Sequence, residues 1–112
     1  MHELSITCNI VELVAETAKG RKVHRVMVEI GQLSGVMPDS IAFWFPEVAR
    51  GTEVEEARLE IREIAALARC EDCGVEFSTP SMLTVCACGS FRFKRLRGEE
   101  LNLKSIELEE VL

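Results

Sequence analysis

Leu101-Asn102-Leu103-Lys104-Ser105-Ile106-Glu107-Leu108 places its first apolar pair, Leu101 and Leu103, on one parity and its second, Ile106 and Leu108, on the other. Side chains of a half-buried strand alternate with a period of two, so a slip of one residue means a bulge or a change of partner. Two segments upstream show the same alternation. From Val23 to Ile30, the residues Val26, Val28 and Ile30 alternate with Met27 and Glu29, and further on Ala57, Leu59 and Ile61 alternate with Arg58, Glu60 and Arg62. The phase of the latter breaks at Glu63-Ile64, just before a cysteine-containing segment. The last strand therefore reads as leaving that segment and rejoining the first sheet, which makes the cysteine segment an insertion.

Two helices are expected beside these strands. Ser5 is a suitable N-cap, and Ile6, Ile10, Leu13 and Thr17 recur at helical spacing up to Lys19-Gly20, where glycine closes a helix. Cys8 within it reads as a small buried hydrophobe. Pro38 suits the first turn of a second helix, and Asp39 complements its dipole. Ile41, Phe43, Trp44, Phe45 and Val48 read as core packing in preference to an exposed partner-binding stripe. Pro46 is expected to kink or end this helix, and Gly51-Thr52 closes it.

Four of the five cysteines, Cys70, Cys73, Cys86 and Cys88, fall within nineteen residues. In a reducing compartment such clustering points to metal before disulfide. Cys70-Glu71-Asp72-Cys73-Gly74 aims two thiolates from one tight turn at one ion, and Cys86-Ala87-Cys88-Gly89 is one residue tighter than a usual zinc knuckle. Zinc is the favoured ion, with iron or a redox disulfide as alternatives. The fold class is therefore α+β: a small sheet of about three strands with two helices, plus an inserted four-cysteine β module of zinc-ribbon or rubredoxin-like kind. The expected division assigns 1–64 and 100–112 to the first unit and 65–99 to the insert.

Met1-His2-Glu3 brings a free amine, an imidazole and a carboxylate into one tripeptide. With the backbone nitrogens of His2 and Glu3, the amine and imidazole complete a square of nitrogen donors, a set suited to Ni(II) or Cu(II). The bland alternative is a solvated terminus. His24 shares the parity of Val26 and Val28 and is a weaker candidate for a second imidazole. No nucleophile has a base beside it in sequence, and no phosphate-cradling loop occurs, so the chain is not expected to be an enzyme.

The formal charge of −6 and pI near 5.0 argue against a nucleic-acid surface, even though Arg92, Lys94, Arg95 and Arg97 interleave with Phe91 and Phe93. No apolar run reaches the roughly 20 residues that span a bilayer, and the start lacks a signal-peptide plan. A cytoplasmic protein with no nucleic-acid or membrane partner is expected.

Taken in order, Met1-His2-Glu3-Leu4-Ser5, Gly31-Gln32-Leu33-Ser34-Gly35-Val36-Met37-Pro38, Gly51-Thr52 before Glu56-Ala57-Arg58-Leu59, Cys88-Gly89-Ser90, Gly98-Glu99-Glu100-Leu101 and Lys104-Ser105-Ile106-Glu107 resemble the HypA/HybF family of nickel metallochaperones over essentially the whole chain. The resemblance implies that a transferable Ni(II) binds the Met1 amine, the His2 imidazole and backbone nitrogen, and the Glu3 backbone nitrogen. The Glu3 side chain would tune that site. It also implies a structural Zn(II) on Cys70, Cys73, Cys86 and Cys88, and it implies binding and transfer in place of catalysis. The implied partners are a HypB-type GTPase and the [NiFe]-hydrogenase large-subunit precursor, with the chain a monomer or weak homodimer. The family usually carries C-x-x-C at the second pair, so the single Ala87 here is a departure expected to alter the backbone-to-sulfur hydrogen bonds. Two other readings are a rubredoxin-like iron electron carrier, and a zinc-ribbon interaction module without metal transfer.

Overall fold

The computed structural model describes residues 2–78 and 85–110. Its elements are α1 (Glu3–Ala18), β1 (Val23–Gly31), α2 (Pro38–Ala49), β2 (Arg58–Ile64), β3 (Leu67–Cys70), β4 (Glu76–Ser78), β5 (Phe93–Arg97) and β6 (Leu101–Leu108). They form two three-stranded sheets, ordered β2-β1-β6 and β4-β3-β5. The α+β core with its inserted four-cysteine cluster matches the fold class read from the sequence.

β1 is the central strand of the first sheet. β2 lies parallel to it from Arg25↔Arg58 to Gly31↔Ile64, which requires a crossover, and α2 provides it. β6 lies antiparallel on the other side, and Met27 pairs with Ser105 while Val28 pairs with Leu103. Lys104 is thereby skipped. This is the bulge that the parity slip demanded, and it turns Leu103 and Ile106 alike towards the core. A second irregularity falls between Val23 and Arg25. It leaves Val23 fully buried and His24 exposed, so His24 does not share the inward parity of Val26 and Val28.

One face of the sheet is covered by α1 and α2, with Val26, Val28, Ile30, Val14, Ile41 and Phe45 nearly all removed from water. Each such side chain contributes roughly 1.5–3 kcal/mol of burial free energy. The buried face of α1 is Thr7, Ile10, Val11, Val14 and Ala18. This corrects the expected stripe, since Leu13 is 49% exposed. Thr7 enters the core because its hydroxyl donates to the Glu3 carbonyl at 2.7 Å, so no polar atom is left unsatisfied. α1 also starts two residues before the expected cap: Ile6 N–H already bonds to the His2 carbonyl at 3.0 Å, and no side chain caps the helix.

Pro46 does not end α2, which runs on to Ala49. Both Pro46 and Ala42, whose carbonyl loses its helical donor, are exposed, so water can supply the missing bond. Ile41 and Phe45 pack inward as expected. Phe43 instead stands 72% exposed, edge-on to Trp44 with ring centroids 5.2 Å apart.

The smaller sheet packs little: Ala66, Ala68 and Cys70 are buried, and Phe77 meets Phe93 edge-on at 6.0 Å. Its joint with the larger sheet is short. β2 passes into β3 through Ala65-Ala66, and β5 into β6 through Gly98-Glu99-Glu100. The radius of gyration, 17.6 Å, exceeds the roughly 13 Å of a compact domain of this length, so the two sheets extend the molecule end to end.

Candidate metal centre

Four thiol sulfurs converge at one end of the smaller sheet. Cys70 ends β3, and the chain turns through Cys73 to Gly74, whose N–H bonds back to the Cys70 carbonyl at 2.9 Å. Gly74 adopts φ +78°, a left-handed geometry that suits glycine. The second turn is built alike: Gly89 N–H bonds to the Cys86 carbonyl at 2.8 Å, and Cys86 N–H bonds to the Ser90 carbonyl at 2.9 Å. Glu71 N–H bonds to the Arg92 carbonyl at 2.9 Å and knits the two turns together.

The sulfurs of Cys70 and Cys88 lie 3.6 Å apart, as do those of Cys73 and Cys86, and all four lie within 4.8 Å of one another. Zinc–sulfur bonds of about 2.3 Å at tetrahedral angles place sulfurs about 3.8 Å apart, so this donor set fits such an ion. Cys70 and Cys86 are buried, whereas Cys73 and Cys88 are exposed.

Electrostatics divide the thiols. The backbone N–H of Cys73 draws the Cys70 thiol down to about 6, against burial, with Asp72 N–H adding to the effect. At Cys88 the Ser90 N–H also pulls downward, yet the neighbouring Cys86 and Cys70 thiols push the group up to about 12. Cys73 is raised as well: Val75 N–H lowers it, but the Cys86 thiol and burial prevail. The shortened Cys86-Ala87-Cys88 turn therefore still directs a backbone N–H, that of Ser90, at its second sulfur. Four thiols so close favour sharing protons until a cation replaces them.

At the other end, Met1 lies outside the described residues. His2 sits at the N-cap of α1 with φ −96° and ψ 56°. The first N–H groups of a helix have no partner within it, so the backbone nitrogen of Glu3 carries no helical hydrogen bond. The Glu3 carboxylate folds back and accepts the Met37 N–H at 3.3 Å. Its pKa is lowered, first by its own backbone N–H and also by that of Met37, against partial desolvation. His24 lies on the first sheet, far along the chain from this tripeptide, among Arg25, Glu56, Arg58 and Glu107. Cys8 is half-buried in α1 and outside the thiol cluster.

Sequence reasoning missed the residues that join the two ends. Gln32 Oε1 accepts the Ala66 N–H at 3.0 Å, and the backbone N–H groups of Gly31, Gln32 and Leu33 bond to Glu100, Ile64 and Gly98 at 2.7, 2.9 and 2.6 Å. The one available signal was a polar Gln between a buried strand and a helix. No helix of the described residues is long and apolar enough to cross a membrane.

A family model described as "Hydrogenase/urease nickel incorporation, metallochaperone, hypA" matches residues 1–108. The chain is 50% identical to a hydrogenase maturation factor HypA from Nostoc sp. over 111 residues, covering 99% of this chain and 98% of that one. It is 47% identical to the factor of that name from Geotalea uraniireducens over 110 residues, covering 97% of this chain and all (100%) of the relative. Its fold is similar to the solution structure of the Ni metallochaperone HypA from Helicobacter pylori, with a TM-score of 0.66 at 29% identity over 96% of this chain and 97% of that chain. A second solution structure of a HypA protein gives a TM-score of 0.71 at 28% identity, covering 97% of each chain.

Proposed function

Because this chain belongs to the HypA family of hydrogenase and urease nickel-incorporation metallochaperones, we propose that it carries Ni(II) on Met1-His2-Glu3 and hands it to a [NiFe]-hydrogenase large-subunit precursor, assisted by a HypB-type GTPase. Residues 1–64 and 100–112 form the nickel-carrying unit and residues 65–99 the zinc-carrying insert. Four nitrogens hold the cargo: the Met1 amine, the His2 backbone and imidazole, and the Glu3 backbone. The Glu3 carboxylate positions them and need not ligate. Zinc resides on Cys70, Cys73, Cys86 and Cys88 and supplies structure, closing a module with little apolar core of its own.

The observation that carries the nickel reading is the start of α1 at Glu3, inside the tripeptide, with His2 as the N-cap. The Glu3 backbone N–H has no partner in the helix and bonds only its own carboxylate, so a metal that replaces its proton costs the helix no bond, and the positive end of the helix dipole favours loss of that proton. A terminal chelate whose His2 is exposed also suits release, since protonating the amine and amides expels the ion.

The test is a nickel titration of the protein with its native, untagged N-terminus beside a copy extended by one residue. The native chain should bind one Ni(II) and the extended chain should bind far more weakly. Equal binding by both would remove the terminal-amine site. Metal analysis of the purified protein checks the other centre: colourless and zinc-loaded supports the assignment, whereas a red, iron-loaded protein refutes it.

A further inference from the structure

The connection between β1 and α2 touches both metal-bearing ends of the molecule. At its far end Met37 N–H donates to the Glu3 carboxylate at 3.3 Å. At its near end Gly31 and Leu33 bond through their backbone N–H groups to Glu100 and Gly98, in one of the two segments that cross between the sheets, and Gln32 N–H bonds to Ile64, the last residue of β2 before the other. The stretch between is internally tied. Ser34 N–H bonds to the Gly31 carbonyl at 3.0 Å, Val36 N–H bonds to Ser34 Oγ at 3.2 Å, and Val36 is buried in the main core.

Within this connection Gln32 makes a side-chain bond to the insert, accepting the Ala66 N–H at 3.0 Å. Ala66 lies between β2 and β3, where no sheet ladder claims its N–H, and an unpaired buried N–H is costly. Ala66 also packs under Gly98: a side-chain carbon at Gly98 would lie 2.8 Å from the Ala66 Cα. Four residues onward, along a strand buried at Ala68 and Cys70, stands the first thiol of the cluster.

We propose that Gln32 is a positioning residue whose carboxamide, bonded to Ala66, sets the angle of the four-cysteine module and links that angle to the Met1-His2-Glu3 end through the Glu3–Met37 bond. The second half of this proposal rests on the nickel reading above. Gathering the nitrogens of the tripeptide into one plane moves Glu3, and with it the anchor of Met37. The tied loop passes that displacement to Gln32 as a unit, and the Ala66 bond delivers it to β3. Without the carboxamide the Ala66 N–H turns to water, and the crossing becomes a hinge.

The test uses the zinc-loaded full chain with its native N-terminus, as wild type, Gln32→Ala and Gln32→Glu, the last of which keeps an acceptor for Ala66. Before nickel is added, residual dipolar couplings of the two sheets should fit one common alignment tensor in wild type and Gln32→Glu, and two in Gln32→Ala. A single tensor in Gln32→Ala overturns the positioning role. During titration with nickel chloride, the Ala66, Cys70 and Gly98 amides should shift in wild type and lose that shift in Gln32→Ala, while Glu3 and Met37 continue to respond. Equal module shifts in both proteins, or none in wild type, overturn the link. If Glu3 and Met37 do not respond in wild type, the nickel reading itself fails, and the nickel-free couplings still decide the role of Gln32.

Discussion

The Glu3 carboxylate accepts the backbone N–H of Met37 across 3.3 Å, so the third residue of the chain is bonded to the residue that caps α2. The partner is a backbone group, hence the bond selects for an acceptor of this reach and not for any particular residue at position 37. Glu3→Ala should lower the melting temperature more than Glu3→Gln, which keeps an acceptor and loses the charge. The lowered pKa fixes the sign of the acid dependence. A depressed carboxylate contributes its stability above its unfolded pKa and loses it as pH falls through the folded value. The gap between wild type and Glu3→Gln should therefore be full at neutral pH and vanish in acid. Thermal unfolding monitored by circular dichroism across that range checks it; a gap independent of pH would contradict it.

Gly31 and Gly98 meet backbone to backbone. A side-chain carbon at Gly31 would lie 2.2 Å from the Gly98 oxygen and 2.6 Å from the Glu100 nitrogen, and backbone cannot swing aside. Gly31→Ala should cost about 3 kcal/mol or more, at or beyond the upper end of ordinary overpacking. Gly20→Ala meets nothing within 4 Å and has only its φ of +84° against it, so it should cost about 1–2 kcal/mol. Urea unfolding followed by Trp44 fluorescence ranks the two.

Zinc binding should release fewer than four protons near neutral pH, because Cys70, drawn down to about 6, already enters as thiolate. Below pH 6 that thiol is protonated, so the proton count should rise and zinc affinity should fall more steeply with acid. Calorimetric zinc titration of reduced protein in buffers of different ionisation enthalpy gives the count at each pH. Four protons at pH 7.5 would contradict the picture.

Deleting Lys104 should be tolerated. The skipped residue is removed, and Leu101, Leu103, Ile106 and Leu108 then fall on one unbroken parity, the one on which Leu103, Ile106 and Leu108 pack against the core. Deleting Asn102 instead puts Leu101 out of phase with Leu103 and should unfold the sheet edge. A regular outer strand is also a better template for a second chain, so the Lys104 deletion should self-associate more than wild type in sedimentation velocity.

Much of the architecture was legible because it follows from strand parity. The slip between Leu103 and Ile106 announced both the bulge and the rejoining of the first sheet, and the thiol turns announced themselves by spacing. The buried face of α1 was misread because Thr7 counts as polar in any pattern, although its hydroxyl is satisfied one turn back. The alternative that Pro46 ends α2 failed for a similar reason, since the rule against proline inside helices says nothing of a solvated face. The Gln32–Ala66 bond spans 34 residues of sequence, and no local pattern encodes such a partner.

The order of strands in the first sheet also governs when this protein becomes whole. β1 is read out among the first thirty-one residues, yet its second neighbour, β6, ends at Leu108. Until that strand leaves the ribosome, one edge of β1 stands open and the core lacks Leu103, Ile106 and Leu108. Pairing across such a separation is slow compared with forming the local α2 crossover. A chain truncated within the cysteine segment thus keeps its Met-His-Glu start but lacks the strand that completes the sheet beneath α1, so the fold cannot be whole until β6 has emerged.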